Sequence, residues 1–442
     1  MKALSEKQKI SLIALWRNLP TVTRESLLTA AAHDSRLGQI LQEIDSEAAE
    51  CPRASEDEFF ERFRVFKDLI GGIDQPPTHA RFTEDCLREV EKICDPDTRN
   101  WPGQAANIDQ QQSWRTAAAD SVLSKMESAR TDKSLKKTLT DLLGPAFENE
   151  LNEIACLLKH DTAICSEIAG LPKSIPNFSE ELVVGVRDSY ERICSQAPEA
   201  SLWFLYIVTA RLEKTAQIFR AVEKIGKRSD DALVSKTDLA DIGDLVLANA
   251  EFWADQFSKQ PKSLEEADAA GAALAKYVEV TVGMTREFGI RKDGRWGKSL
   301  FAIRAKASES LESFFKHVEK TFSRALPHPA KGQHGLAKPG AMPDPARIVE
   351  AESGLRFLAL AGEWASQAAV GSSQKHAADF AREEIDECAR ALLEILRTAE
   401  GEDSDKASEA IALCVRYMRA SKDEENAALI QRRAVAVRAN AA

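Results

Sequence analysis

Residues Ser201–Gly226 read SLWFLYIVTARLEKTAQIFRAVEKIG, the most apolar segment of the chain. Leu205, Val208, Leu212, Thr215, Phe219 and Val222 recur at helical spacing and therefore share one face. From Leu202 to Val208 every side chain is aliphatic or aromatic, and a helix apolar on all sides lies inside something. The run is too short to cross a membrane and is stopped by Arg211. The stretch predicts the central helix of a bundle, covered by the other helices.

The flanking sequence supplies those helices. Upstream, Ser179 is placed to cap a helix over 180–197, and Pro198 opens the central one. Downstream, Asp238–Phe257 is amphipathic, and Ser263 caps a helix reaching about Phe288. Within it Tyr277–Val282 alternates like a strand. Its Ala-rich surroundings and the lack of a partner strand favour the helix. Lys298–Leu326 is the most regular helix, with Leu300, Ile303, Ala307, Leu311, Phe314, Val318 and Phe322 in one stripe. Further from the centre, helices are expected over Thr23–Ala49, Ser55–Ile70 and Phe82–Cys94, followed by an irregular stretch before Trp114. Two more run to Gly144-Pro145, and another spans Glu150–Ala169. Pro327–Ala346, PHPAKGQHGLAKPGAMPDPA, is the strongest boundary, because its Pro and Gly content opposes regular structure. Four helices are expected beyond it, starting near Pro345, Ser373, Asp405 and Asp423. No fixed repeat period holds.

The fold expected is all-α, an irregular bundle of antiparallel helical hairpins with no significant sheet. Its expected organisation is an N-terminal helical unit over 1–97 and a central bundle over 98–326, built on helix 201–226. A Pro/Gly-rich linker over 327–346 and C-terminal hairpins over 347–442 complete it.

Composition bounds the function classes. The 442 residues are 44% apolar and 29% charged, as in a soluble globular protein. A net charge of -11 opposes nonspecific binding to nucleic acid or to an anionic membrane. The eight cysteines contain no C-x-x-C pair, and a disulfide framework is not expected in a large helical chain. The opening MKALSEKQKISLIALWRNLP has an apolar run from Ile10 to Trp16, broken by Arg17 and without a small-residue cleavage site. It reads as a helix stopped by Pro20 and not as a signal peptide, and a reducing cytoplasm is the consistent compartment.

The best candidate for chemistry is Gly289–Ser299, GIRKDGRWGKS. It ends in the G-K-S of a phosphate-binding loop, but Lys292 stands where the first glycine belongs and no strand precedes it. A milder reading is an anion site made by Arg291, Arg295, Trp296, Lys298 and Ser299 at a helix N-terminus. Seven basic residues lie between Arg286 and Lys306, opposed by Glu287 and Asp293 alone. The competing reading is a turn whose Trp plugs the core and whose arginines pair with acidic neighbours. His376, Asp379, Glu383 and Asp386 share a helix stripe, a spacing equally ordinary for a solvated face. Phe59, Phe60, Phe63 and Phe66 read as core, with Phe60 off the main stripe. No catalytic motif is present, so no catalytic residue, metal or cofactor is expected. The expectation is a non-enzymatic cytoplasmic scaffold or adaptor with a protein partner. The alternative is an enzyme or sensor binding a phosphorylated or carboxylated ligand at 289–299.

Overall fold

The structure, a computed structural model, describes residues 56–72, 74–93, 101–103, 106–227, 234, 236–331 and 337–441. The helix expected at Thr23–Ala49 and the Ser55 cap lie outside the described residues. Helices α1 (Glu56–Arg62) and α2 (Glu84–Ile93) come first. They are followed by α3 (Ile108–Ala129), α4 (Lys133–Leu143), α5 (Phe147–Lys159), α6 (Asp161–Ile168) and α7 (Glu180–Gln196). The central stretch gives α8 (Ser201–Arg211) and α9 (Ile218–Gly226). Then come α10 (Ala240–Phe257), α11 (Leu264–Glu287), α12 (Arg295–Phe322), α13 (Pro345–Gly362), α14 (Gly371–Thr398), α15 (Glu402–Ala420) and α16 (Glu424–Ala441). The sheet among the described residues is one antiparallel pair, β1 (Ala330–Lys331) with β2 (Ala337–Lys338). The chain is all-α.

Local chemistry sets the helix ends. The Ser179 hydroxyl accepts from the Leu182 amide at the start of α7, and Ser263 accepts from Glu266 at the start of α11. Asn107 accepts from Gln110, so α3 begins inside the stretch expected to be irregular. Tyr277–Val282 is helical, inside α11. The expected helix over 55–70 is shorter: α1 ends at Arg62, a 3-10 turn over Arg64–Phe66 follows, and Ile70 bridges to Phe82. Phe59, Phe63 and Phe66 are buried as expected, and Phe60 is half-buried against the same core.

The central stretch is not one helix. Leu212 is extended, with φ -75° and ψ 122°. The Ile175 amide donates to the Arg211 carbonyl (2.7 Å), and the Glu213 amide donates to the Ile175 carbonyl (3.1 Å). This two-bond bridge to the loop after α6 takes over groups that a continuing helix would use internally. The expected apolar face is nevertheless buried: Leu205, Val208, Phe219 and Val222 are fully covered and Leu212 is 2% exposed. The Arg211 guanidinium also stabilises the break. It pairs with Asp68 (2.8 Å) and donates to the carbonyls of Ile168 and Leu171 at the end of α6.

The apolar interior forms two clusters. The first runs from Phe59 to Leu300 in sequence, so the 56–93 helices share it with the central stretch. The second runs from Ala254 to Ile430, and both Leu326 and Ala351 belong to it. The Pro/Gly segment 327–346 is therefore spanned by one apolar cluster. The two clusters meet along α10, α11 and α12: Ala250 is in the first and Ala254 in the second, as are Val280 and Val278, and Leu300 and Ala307. A 28-residue helix such as α12 is about 42 Å long, enough to serve both. The described parts of the Pro/Gly segment, 327–331 and 337–346, have more order than their composition predicts. Its β1–β2 pair is regular, Pro327 and Pro339 are buried, and the Pro327 carbonyl lies 3.7 Å from Cys388 Sγ.

Candidate functional site

The Gly289–Ser299 segment is a turn between α11 and α12. The Gly294 amide donates to the Arg291 carbonyl, and α12 begins at Arg295 with Gly294 as its cap residue. Gly297, Lys298 and Ser299 lie in the first two turns of the helix. Both Gly294 and Gly297 have negative φ, so neither is needed for a left-handed backbone. Gly297 is needed for close approach: a Cβ there would lie 1.8 Å from the Arg291 carbonyl oxygen.

Trp296 is fully buried. Its ring packs edge-on against Phe219 (5.5 Å between centroids) and Phe288 (5.8 Å), and its Nε1 donates to Asp244 Oδ1 at 3.2 Å. Thus the loop and the central stretch meet through one aromatic cluster. Arg295 pairs with the other oxygen of Asp244, and Arg291 pairs with Asp293 (3.1 Å). Lys306 pairs with Asp255 (3.1 Å), and Lys292 lies 5.7 Å above the Phe301 ring. Lys298 and Ser299 are exposed on α12, and Lys298 has no ion-pair partner among the described residues. Of the basic run that stands out in the sequence, Arg286, Arg291, Arg295 and Lys306 pair with separate acidic neighbours.

His376 Nδ1 lies 2.8 Å from Glu319 on α12. Among the described residues no group of three or more His, Cys, Asp or Glu side chains could hold a metal.

Three constellations were not read from the sequence. The first is buried. Asp161, the first residue of α6, has no exposed surface and takes 2.7 Å from Arg64 Nε. Arg115, equally buried on α3, faces it at 3.4 Å and donates to the carbonyls of Arg62 and Glu61. Cys165 Sγ lies 3.6 Å from the same carboxylate, and burial pushes that thiol up to about 12, which leaves it protonated and unreactive. The cluster ties the 56–93 helices to α3 and α6. Its one sequence signal is Arg115 in the Ala-rich run WRTAAA.

The second is a groove of about 470 Å³ between α14 and α16. Arg390, Leu393, Glu394 and Arg397 line one wall at helical spacing, and Arg433, Ala436 and Val437 line the other. Arg397 is held by Glu394 (2.8 Å), and Arg390 Nε donates to the Asp386 carbonyl. Arg433 has no ion-pair partner among the described residues. The third is a smaller pocket where α12 and α13 meet, lined by Phe314, His317, Arg324, Arg347 and Glu350 among others. These sites bring together residues from different helices, a relation that spacing within one helix does not reveal.

Among the described residues no helix is long and apolar enough to cross a membrane. Comparison with known protein families, with curated proteins and with solved structures finds no match to this chain.

Proposed function

We propose that this chain is a non-enzymatic helical interaction protein, a scaffold or adaptor, and that it works in the cytoplasm. The observation that carries the reading is the α14–α16 groove. Its lining holds three arginines and one carboxylate beside the apolar Leu393 and Val437, in a chain of net charge -11. A local cluster of guanidinium groups beside apolar side chains suits an acidic protein segment that carries apolar residues of its own. Cys86, Cys156, Cys165, Cys194, Cys388 and Cys414 are free thiols, which suits a reducing compartment.

The alternative ligand site at 289–299 has less behind it. Trp296 is taken up by the core, and Arg291 and Arg295 by Asp293 and Asp244, so Lys298 and Ser299 would carry the recognition.

The test is quantitative affinity capture with the full chain and with the Arg390→Glu/Arg433→Glu double variant, whose sites are exposed and whose fold should be unchanged. A specific partner retained by the wild type and lost with the double variant supports the proposal. Partners captured equally by both remove the groove from it.

A further inference from the structure

We propose that the pocket between the C-terminal end of α12 and the first turns of α13 binds a small carboxylate carrying an apolar tail. Its volume is about 190 Å³. An apolar cavity of about 150 Å³ holds a benzene ring, so this one accommodates a ring or a short alkyl chain. Phe314, Val318 and Phe322 of α12 form the floor with Ala351 and Gly354 of α13. Val318 and Phe322 are 5% and 1% exposed, and the Phe314 ring is fixed edge-on to Phe357 at 4.9 Å. The floor is therefore preformed and apolar.

The rim decides the sign of the ligand's charge. Its carboxylate, Glu350, is engaged: Oε1 lies 3.1 Å from His317 Nε2 and accepts from Gln260 Nε2 at 3.3 Å. Arg324, just after α12, and Arg347, in the first turn of α13, line the same rim. Neither has an ion-pair partner among the described residues. Two guanidinium groups with no ion-pair partner among the described residues, on the rim of an apolar floor, suit one carboxylate head with its tail pointing inward.

Gly354 gives an independent reason to read the pocket as built. It lies mid-helix in α13, where glycine costs about 0.5–1 kcal/mol relative to alanine. A Cβ there would sit 3.4 Å from Val318 Cγ2, at the edge of ordinary contact, so packing alone does not demand glycine. What a side chain at 354 would do is reduce the space between α12 and α13. This pocket is separate from the α14–α16 groove and does not depend on a protein partner.

The experiment is titration calorimetry of the full chain with 4-phenylbutyrate and octanoate, with 4-phenylbutanamide as the neutral control. The expected result is saturable binding of both carboxylates and at least about tenfold weaker binding of the amide. The Arg324→Ala/Arg347→Ala variant should lose about tenfold or more in carboxylate affinity, and Gly354→Leu should abolish binding. If Gly354→Leu does not fold, Thr321→Trp fills the pocket from its rim and reads the same quantity. No binding of either carboxylate at millimolar concentration overturns the proposal. So does equal binding of acid and amide, or affinity unchanged in the charge and filling variants.

Discussion

Two carboxylates in this protein, Asp161 and Glu287, each sit beside two arginines, and they titrate in opposite directions. Asp161 has no exposed surface, and Arg115 beside it is equally buried. Burial raises its carboxyl above the ordinary value in spite of Arg115 and Arg64. Glu287, at the end of α11, is 6% exposed, but its partners Arg220 and Arg286 are 33% and 61% exposed. Burial works against its charge as well. There, however, the hydrogen bonds from Arg220 (2.7 Å) and Arg286 (2.9 Å) outweigh it and hold the carboxyl below the ordinary value. The number of arginines is the same. What differs is the carboxylate's own setting: Asp161 has no exposed surface, accepts a hydrogen bond from Arg64 and faces the fully buried Arg115 at 3.4 Å, whereas Glu287 accepts one from each of its arginines.

The largest effect expected from this contrast is that of Arg115→Ala. It removes the Arg115 hydrogen bonds to the carbonyls of Glu61 and Arg62 and leaves buried Asp161 with half its counter-charge, and should cost about 3–5 kcal/mol by denaturant unfolding. Arg220→Ala removes a pair open to solvent on one side and should cost about 1–2 kcal/mol, the charged hydrogen-bond range discounted for exposure. Equal losses from the two variants would break the comparison.

The pH dependence sharpens it. Glu287 has a folded-state pKa below its unfolded value of about 4.3, so its stabilisation is present above that value and lost as pH falls through the folded one. Asp161 has a raised folded-state pKa, so its cost is present above that pKa. The cost is relieved as pH falls towards the unfolded value. Urea midpoints followed from neutral to acidic pH should therefore fall less steeply for Glu287→Gln than for the wild type. For Asp161→Asn they should fall more steeply. Parallel acid limbs in all three proteins would show that neither group is perturbed as described.

The smallest effect is expected at the most conspicuous charges. The Arg295→Ala/Lys298→Ala variant should change stability by no more than ~1 kcal/mol, because both side chains are exposed. Trp296 stays buried in that variant. If the alternative function at 289–299 holds, the same variant should lose affinity for a phosphorylated or carboxylated ligand. Unchanged affinity for every ligand found would end that reading.

These charges also show how far the chain can be read without its structure. The run Arg286–Lys306 is obvious in the sequence because its members are neighbours in the chain, yet in the fold Arg286, Arg291, Arg295 and Lys306 pair in turn with Glu287, Asp293, Asp244 and Asp255. The Arg64–Arg115–Asp161 cluster is invisible in sequence because its members are 97 and 46 positions from the aspartate that joins them.

By itself the sequence determined the helical class, the buried face of Ser201–Gly226 and the helix starts at Ser179 and Ser263. These follow from periodicity and from a hydroxyl reaching an amide three residues on, both local quantities. It left Trp296 open between ligand site and core plug, and the burial of the ring in the fold favours the plug. Only the tertiary structure decided that the central stretch breaks at Leu212, because the groups that end the helix belong to Ile175 in another loop. It alone decided that one apolar cluster spans the Pro/Gly segment, since Leu326 before it and Ala351 after it pack into the same cluster. The pockets follow for the same reason: each is lined by separate helices, and the distance between two helix faces is set by the packing of the whole bundle.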